Sequence, residues 1–163
     1  MKKTYILGQG GFAYELYEQI FLDNFFYDFG GFIVLKDNKA FVFNDKEGSR
    51  EFDYNTDSQF ILGTGTKKWR TTFLTHFLEK YPATLEHFPN VCSKQSYISR
   101  ISKMGIGNVF CAFSLVNANA QLGNFNMFNV YASIHHDCIL GSYNILSPHA
   151  TVLGNCKVGD LNF

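Results

Sequence analysis

The chain has 163 residues, enough for one ordinary domain or two small ones, and 46% of them are hydrophobic. Fourteen basic and fourteen acidic residues cancel, and no basic block tracks a phosphate backbone, so nucleic acid is excluded as a partner. Gly8-Gln9-Gly10-Gly11 interrupts the one leader-like start, and no apolar run approaches the length that spans a bilayer; a soluble, cytoplasmic protein with no membrane insertion is expected.

Residues 4–7 predict a buried strand, and Gly8-Gln9-Gly10-Gly11-Phe12-Ala13 follows at once. Beyond it Ala13, Leu16, Tyr17, Ile20 and Phe21 recur at helical spacing. Strand, glycine loop and helix fit a G-x-G-x-x-A phosphate loop, whose glycines let the backbone approach a pyrophosphate at the helix N-terminus. Gly8, Gly10, Gly11 and Phe12 are the candidate contacts; a tight turn without a ligand is the alternative. Residues 31–35 predict a second strand, running into Lys36-Asp37. A dinucleotide site asks for an acidic residue at that strand's end to hold the ribose, and Val34 and Leu35 stand there instead, which argues against a nicotinamide cofactor. Lys36 is open to a phosphate, a uracil or solvent.

Residues 39–44 predict a strand, 45–57 a polar loop, and 59–62 a strand broken by Gly63-Thr64-Gly65-Thr66. Residues 67–80 predict a helix with Trp69, Phe73, Phe77 and Leu78 on its inner face, ended by Pro82. This second glycine-rich loop puts Gly63, Thr64 and Gly65 where a ligand crossing the strand ends would touch both loops. Residues 83–87 predict a last strand, and Phe88-Pro89-Asn90 a boundary. Residues 1–88 are thus expected to form a small Rossmann-like α/β domain, and 91–163 a second, all-β domain.

The second domain is periodic. From Ile98 every sixth residue to Val158 is apolar, eleven in all; at this composition chance gives that about twice in ten thousand trials. Four residues after each anchor stands Ser, Ala, Asn or Cys, from Ser102 to Asn162. Gly105, Gly123, Gly141 and Gly159 lie eighteen apart, as do Asn108, Asn126, Asn144 and Asn162. Three hexads therefore make one coil of a parallel β-helix, with strands stacked on their own copies about 4.8 Å apart. An asparagine ladder along one corner is expected, with glycine at corners for its backbone freedom.

Cysteines 92, 111, 138 and 156 have no C-x-x-C spacing; Cys138 and Cys156 fall in the inward slot of successive coils and are expected as buried thiols, with no metal site. Eighteen Phe and nine Tyr suit a subunit interface or a ligand groove as well as a Phe-rich core. His135-His136 sits at a corner, where residues point outward; the residues alone leave open a surface pair without function.

Both halves together resemble the bacterial sugar acetyltransferases of the sialic-acid and pilin-glycan type (NeuD/PglD-like). The similarity runs from Tyr5 to the last residue, anchored on residues 6–13, Gly31-Phe32-Ile33, Ile61-Leu62-Gly63-Thr64-Gly65, and 129–138. The resemblance implies a left-handed coil, although parallel connections otherwise favour the right hand. It implies acetyl-CoA as co-substrate, a UDP- or dTDP-linked amino sugar as acceptor, and a role in surface glycan synthesis. It also implies a homotrimer with the active site between adjacent subunits, for which Phe113, Phe125 and Met127 suit a lateral interface.

In that family the base lies in a stretch matched here by His136-Asp137-Cys138. His136 is then the general base that deprotonates a sugar amine, or a hydroxyl, and Asp137 orients its ring. Asn129 matches an asparagine near the base, and Gly154 a glycine against the pantetheine arm. Ile145 departs from the pattern, falling where many members place a second histidine toward the thioester; His149 is four residues on. The chain stops at Phe163, a hexad boundary, where members continue for several coils, so a truncated form is expected. The alternative function is a nucleotide-sugar-binding, trimerising module without turnover.

Overall fold

A computed structural model of the chain describes residues 2–22, 28–44, 48–53, 57–80 and 84–163. Its contacts divide the chain into two compact units, Met1–Pro89 and Asn90–Phe163.

The first unit is a five-stranded sheet in the order β4-β3-β2-β1-β5, built from β1 (Lys3–Leu7), β2 (Asp28–Lys36), β3 (Lys39–Asn44), β4 (Gly48–Glu51) and β5 (Ser58–Leu62). β1 pairs in parallel with both β2 and β5, and four of its five residues are buried, as a central strand requires. Asp37 and Asn38, both at positive φ, make a two-residue hairpin from β2 back into β3. Helix α1 (Gly11–Tyr17) follows β1 and continues as a π turn over Glu18–Leu22; helix α2 (Lys67–Lys80) follows β5. The aromatic residues are largely core here: Phe60 meets Phe77 at 4.7 Å, and both Phe52 and Phe88 at 5.7 Å.

Three expectations change. β4 occupies part of the span taken as a loop; its four residues are all exposed, with Lys39 of β3 donating to Glu51 at 3.1 Å beside the backbone ladder, so no hydrophobic alternation announced it. Thr84–His87 is a turn of 3-10 helix rather than a strand, and Pro82 and Ala83 lie outside the described residues. The buried face of α2 carries Arg70, Phe73, Leu74 and Phe77, while Trp69 is exposed. Residues i, i+3, i+4 and i+7 share a helix face, and Arg70, not Trp69, completes that set because its long stem is buried.

The second unit is a left-handed parallel β-helix. One sheet stacks Val91–Cys92, Val109–Phe110, Met127–Phe128 and Ile145–Leu146. The second stacks Tyr97–Ile98, Leu115–Val116, Ser133–Ile134 and Thr151–Val152, and the third Lys103–Met104, Gln121–Leu122, Ile139–Leu140 and Lys157–Val158. The hexad anchors face inward: Phe110, Val116, Leu122, Phe128, Ile134, Leu140 and Leu146 form one core with Ala120, Ala132 and Cys138 in the small slots. Each large anchor so buried contributes about 1.5–3 kcal/mol.

The asparagine ladder is present and begins at Asn90. Each Oδ1 accepts the backbone N–H of the asparagine eighteen residues on, at 2.9 Å, from Asn90 through Asn108, Asn126 and Asn144 to Asn162. Glycine at this corner has a different reason from the one expected. Gly105, Gly123, Gly141 and Gly159 do not take positive φ; a Cβ on Gly123 would stand 2.8 Å from the Gly141 carbonyl, so close stacking excludes it. Left-handed backbone instead recurs every six residues at Phe113, Asn119, Phe125, Tyr131, Asp137, Tyr143, His149, Asn155 and Leu161. An L-residue there costs about 1 kcal/mol or more, and side-chain stacking offsets it. Phe113, Tyr131 and His149 form a parallel column with ring centroids 4.9 Å apart.

Stacking also decides coverage. Phe125 and Met127, expected on an outer face, are each 1% exposed. Phe125 lies against Tyr143, and Met127 is flanked on its sheet by Val109 and Ile145. Cys138 is buried as expected, whereas Cys156, expected as a buried thiol, is exposed.

Candidate active site

His136 and Asp137 lie in the corner between the strands Ser133–Ile134 and Ile139–Leu140. Ile134 and Cys138 are anchored inward on either side; of the three residues between them His135 is half-buried, while His136 and Asp137 project to solvent. Asp137 takes the left-handed conformation (φ 57°), which turns its carboxylate back toward the preceding side chain. His136 Nδ1 stands 2.9 Å from Asp137 Oδ2, and Asn119, one coil earlier, donates Nδ2–H to Oδ1 at 3.1 Å. These two hydrogen bonds, that of His136 first, hold the Asp137 carboxyl below its usual range. The carboxylate is therefore ionised, and in the neutral ring that donates Nδ1–H to it Nε2 carries the lone pair.

Gly154 stands one coil beyond His136, and a Cβ there would come within 2.8 Å of both Cε1 and Nε2. The bare backbone makes room for the imidazole. Beneath the corner, Cys138 donates its thiol to the Leu153 carbonyl at 3.0 Å, tying the two coils together. His135 is engaged separately: Asn117 Nδ2–H donates to its Nδ1 at 3.3 Å.

The structure brings Gly154 to His136 and leaves the other β-helix candidates elsewhere within the chain. Asn129 occupies the corner at the far end of Ser133–Ile134, where its Oδ1 accepts the Val130 N–H at 2.7 Å. Ile145 is buried on a different sheet, beside Met127. His149 is stacked on Tyr131 at that other corner and does not replace a second histidine beside His136.

In the first unit the two glycine loops form one cleft of about 460 Å³, lined by Gly8, Gly10, Gly11 and Phe12 from the first loop and Gly63, Thr64 and Gly65 from the second. The glycines divide by role. Side chains at Gly8 or Gly63 would strike Thr64 or Ile6, so these two let the loops pack on the sheet. Gly10, Gly11 and Gly65 face open space, where a side chain would fill the cleft. The Thr64 hydroxyl is buried with no hydrogen-bond partner among the described residues, an unmet demand of about 1–3 kcal/mol. Lys36 is exposed at the end of β2 and is not part of the lining.

No protein-family model matches the sequence, and no curated protein is significantly similar to it. Solved structures do match. The acetyltransferase domain of PglB from Neisseria gonorrhoeae, in complex with acetyl coenzyme A, aligns over 98% of this chain and 85% of its own at 19% identity and a TM-score of 0.63. WeeI from Acinetobacter baumannii aligns over 98% and 76% at 20% identity and a TM-score of 0.71. A histidine-to-alanine mutant of GDP-perosamine N-acetyltransferase from Caulobacter crescentus, in complex with CoA and GDP-perosamine, aligns over 98% and 78% at 16% identity and a TM-score of 0.66. What they share with this chain is the fold.

Two residues escaped the sequence, one beneath the second glycine loop and one in the cleft wall. Arg70 is 4% exposed beneath the second loop, and burial lowers its guanidinium to about 10. Its Nη1 donates to the Thr64 carbonyl at 3.4 Å, fixing the loop from below. Trp69, read as a core residue, lines the cleft with Phe73, Val34 and Leu35. The signal available was Arg70 itself, whose place at i−3 from Phe73 rotates the buried face by one residue.

Proposed function

We propose that this protein is an acetyl-CoA-dependent acetyltransferase acting on the amino group, or in a close variant the hydroxyl, of a nucleotide-linked sugar used in surface glycan synthesis. The observation that carries the reading is His136 with Nδ1 committed to Asp137 and Nε2 left as acceptor beside the bare backbone of Gly154. It is supported by the fold, whose solved examples include complexes with acetyl coenzyme A and with CoA plus GDP-perosamine.

In this reading His136 Nε2 takes the proton from the acceptor nitrogen as that nitrogen forms its bond to the thioester carbonyl carbon. The carbon–sulfur bond then breaks, and the CoA thiolate leaves with the electron pair and takes up a proton. Asp137 stabilises the imidazolium and keeps Nε2 pointed outward. The glycine cleft holds the nucleotide diphosphate against Gly10, Gly11 and Gly65, with the Thr64 hydroxyl as one donor and Lys36 near its edge. A pyrimidine nucleotide, UDP or dTDP, is the proposed carrier. A cytoplasmic homotrimer is proposed, in which Asn129 and Ile145 of one copy complete the acetyl-CoA and acceptor sites of another.

The test is CoA release, followed chromatographically, across a panel of UDP- and dTDP-amino sugars. His136→Ala is expected to lose about a hundred- to ten-thousand-fold in rate, and His135→Ala little. Gly10→Val is expected to abolish nucleotide-sugar binding without unfolding, since none of the described residues comes within 4 Å of a Cβ there. Binding without CoA release from any panel member would leave a non-catalytic, nucleotide-sugar-binding module instead.

A further inference from the structure

Trp69 has no role in the reading above. It is the one tryptophan of the chain and stands 48% exposed at the first turn of α2, while Phe73, one turn on, is buried. Trp69 and Leu35 line both the glycine cleft and the neighbouring hollow of about 810 Å³, so the pair forms the divide between the two. The cleft therefore has walls of two kinds. Glycine backbone and the Thr64 hydroxyl, which has no partner among the described residues, suit phosphate and sugar oxygens; Trp69, Phe73, Val34 and Leu35 suit something flat and apolar. The end of β2 supplies no carboxylate against a ribose, only Val34 and Leu35, so affinity on that side has to come from contact area.

We infer that the indole of Trp69 is the surface on which the heterocyclic base of the bound nucleotide stacks. The inference rests on the cleft being the nucleotide-sugar site proposed above. Every base offers a π face to an indole, so the contribution is shared by pyrimidine and purine nucleotides and does not choose between them. Choice between bases falls to other residues.

A single tryptophan makes the experiment direct, because the intrinsic tryptophan fluorescence of the full chain reports this position alone. UMP, GMP, ribose 5-phosphate and pyrophosphate are titrated by fluorescence and calorimetry into wild type, Trp69→Phe and Trp69→Leu, with circular dichroism confirming the fold. The expected result is quenching by UMP and GMP and none by ribose 5-phosphate or pyrophosphate. Trp69→Leu should weaken both nucleotides about tenfold or more while leaving ribose 5-phosphate unchanged, and Trp69→Phe should fall between. Calorimetric binding of UMP without quenching, at wild-type affinity in Trp69→Leu, would overturn the inference and leave the nucleotide site standing. No binding of UMP, GMP or any nucleotide sugar to wild type would overturn both.

Discussion

Gly154 lies one coil beyond His136, and the imidazole occupies the space that a Cβ on Gly154 would take, 2.8 Å from Cε1 and Nε2. Gly154 does not have a positive φ, so alanine is conformationally acceptable there and the obstacle is the ring alone. Gly154→Ala should therefore tilt the imidazole away from Asp137 and lower kcat by about tenfold or more, given that misplacement by about 1 Å costs up to a hundredfold. The melting temperature should stay within a few degrees of wild type. Unchanged kcat would mean the ring has room to spare.

The ladder predicts a gradient in stability. Asn126 is fully buried; its Oδ1 accepts from Asn144 N at 2.9 Å and Nδ2 at 3.1 Å, and its own Nδ2 donates to the Gly141 carbonyl at 2.9 Å. Asn126→Ala strands several buried groups at about 1–3 kcal/mol each, so a loss of about 3 kcal/mol or more is expected in urea denaturation. Asn162→Ala, at an exposed position, should cost about 1 kcal/mol or less.

Tyr131 sits at φ 60° between Phe113 and His149. Two stacked contacts at about 0.5–1.5 kcal/mol each are set against the cost of left-handed backbone. Tyr131→Gly loses the stacks but relieves the backbone and should be close to neutral. Tyr131→Val loses the stacks and adds a β-branched side chain where φ is positive, so it should be clearly the worse of the two in thermal denaturation. Equal melting temperatures would mean the backbone there is unstrained.

His76, on α2, is buried, and burial first and Lys80 second lower its pKa from the ordinary 6.5, with Glu79 opposing. A base with a lowered folded pKa binds fewer protons folded than unfolded. Its contribution is complete above pH 6.5 and is lost as pH falls through that value toward the folded pKa. Midpoints of urea unfolding should fall between pH 7.5 and 5.5, and His76→Gln should flatten that slope. A variant as acid-sensitive as wild type would move the effect to another group.

Much of this was legible before any coordinates. The six-residue period over residues 98–163 repeats one local geometry, so the inward residue of each hexad is known once one is known, and the core from Phe110 to Leu146 followed directly. The eighteen-residue spacing of Asn108, Asn126 and Asn144 placed them in a ladder for the same reason. In the first unit, glycine loops directly after β1 and β5 announced a shared cleft, since adjacent parallel strands end on the same edge.

What only the tertiary structure decided is which side chains are covered and what each one touches. The period says that Phe125 and Met127 point away from the core, but whether they are buried depends on Gly107, Tyr143, Val109 and Ile145, residues remote in sequence. It was equally silent on Trp69 and Arg70, because a helix shows the same spacing of apolar side chains when rotated by one residue, and only packing on the sheet selects the rotation. His136 stands between these cases. Its outward place belongs to the period, whereas its tautomer was set by a carboxylate turned back at φ 57° and its room by a glycine eighteen residues away.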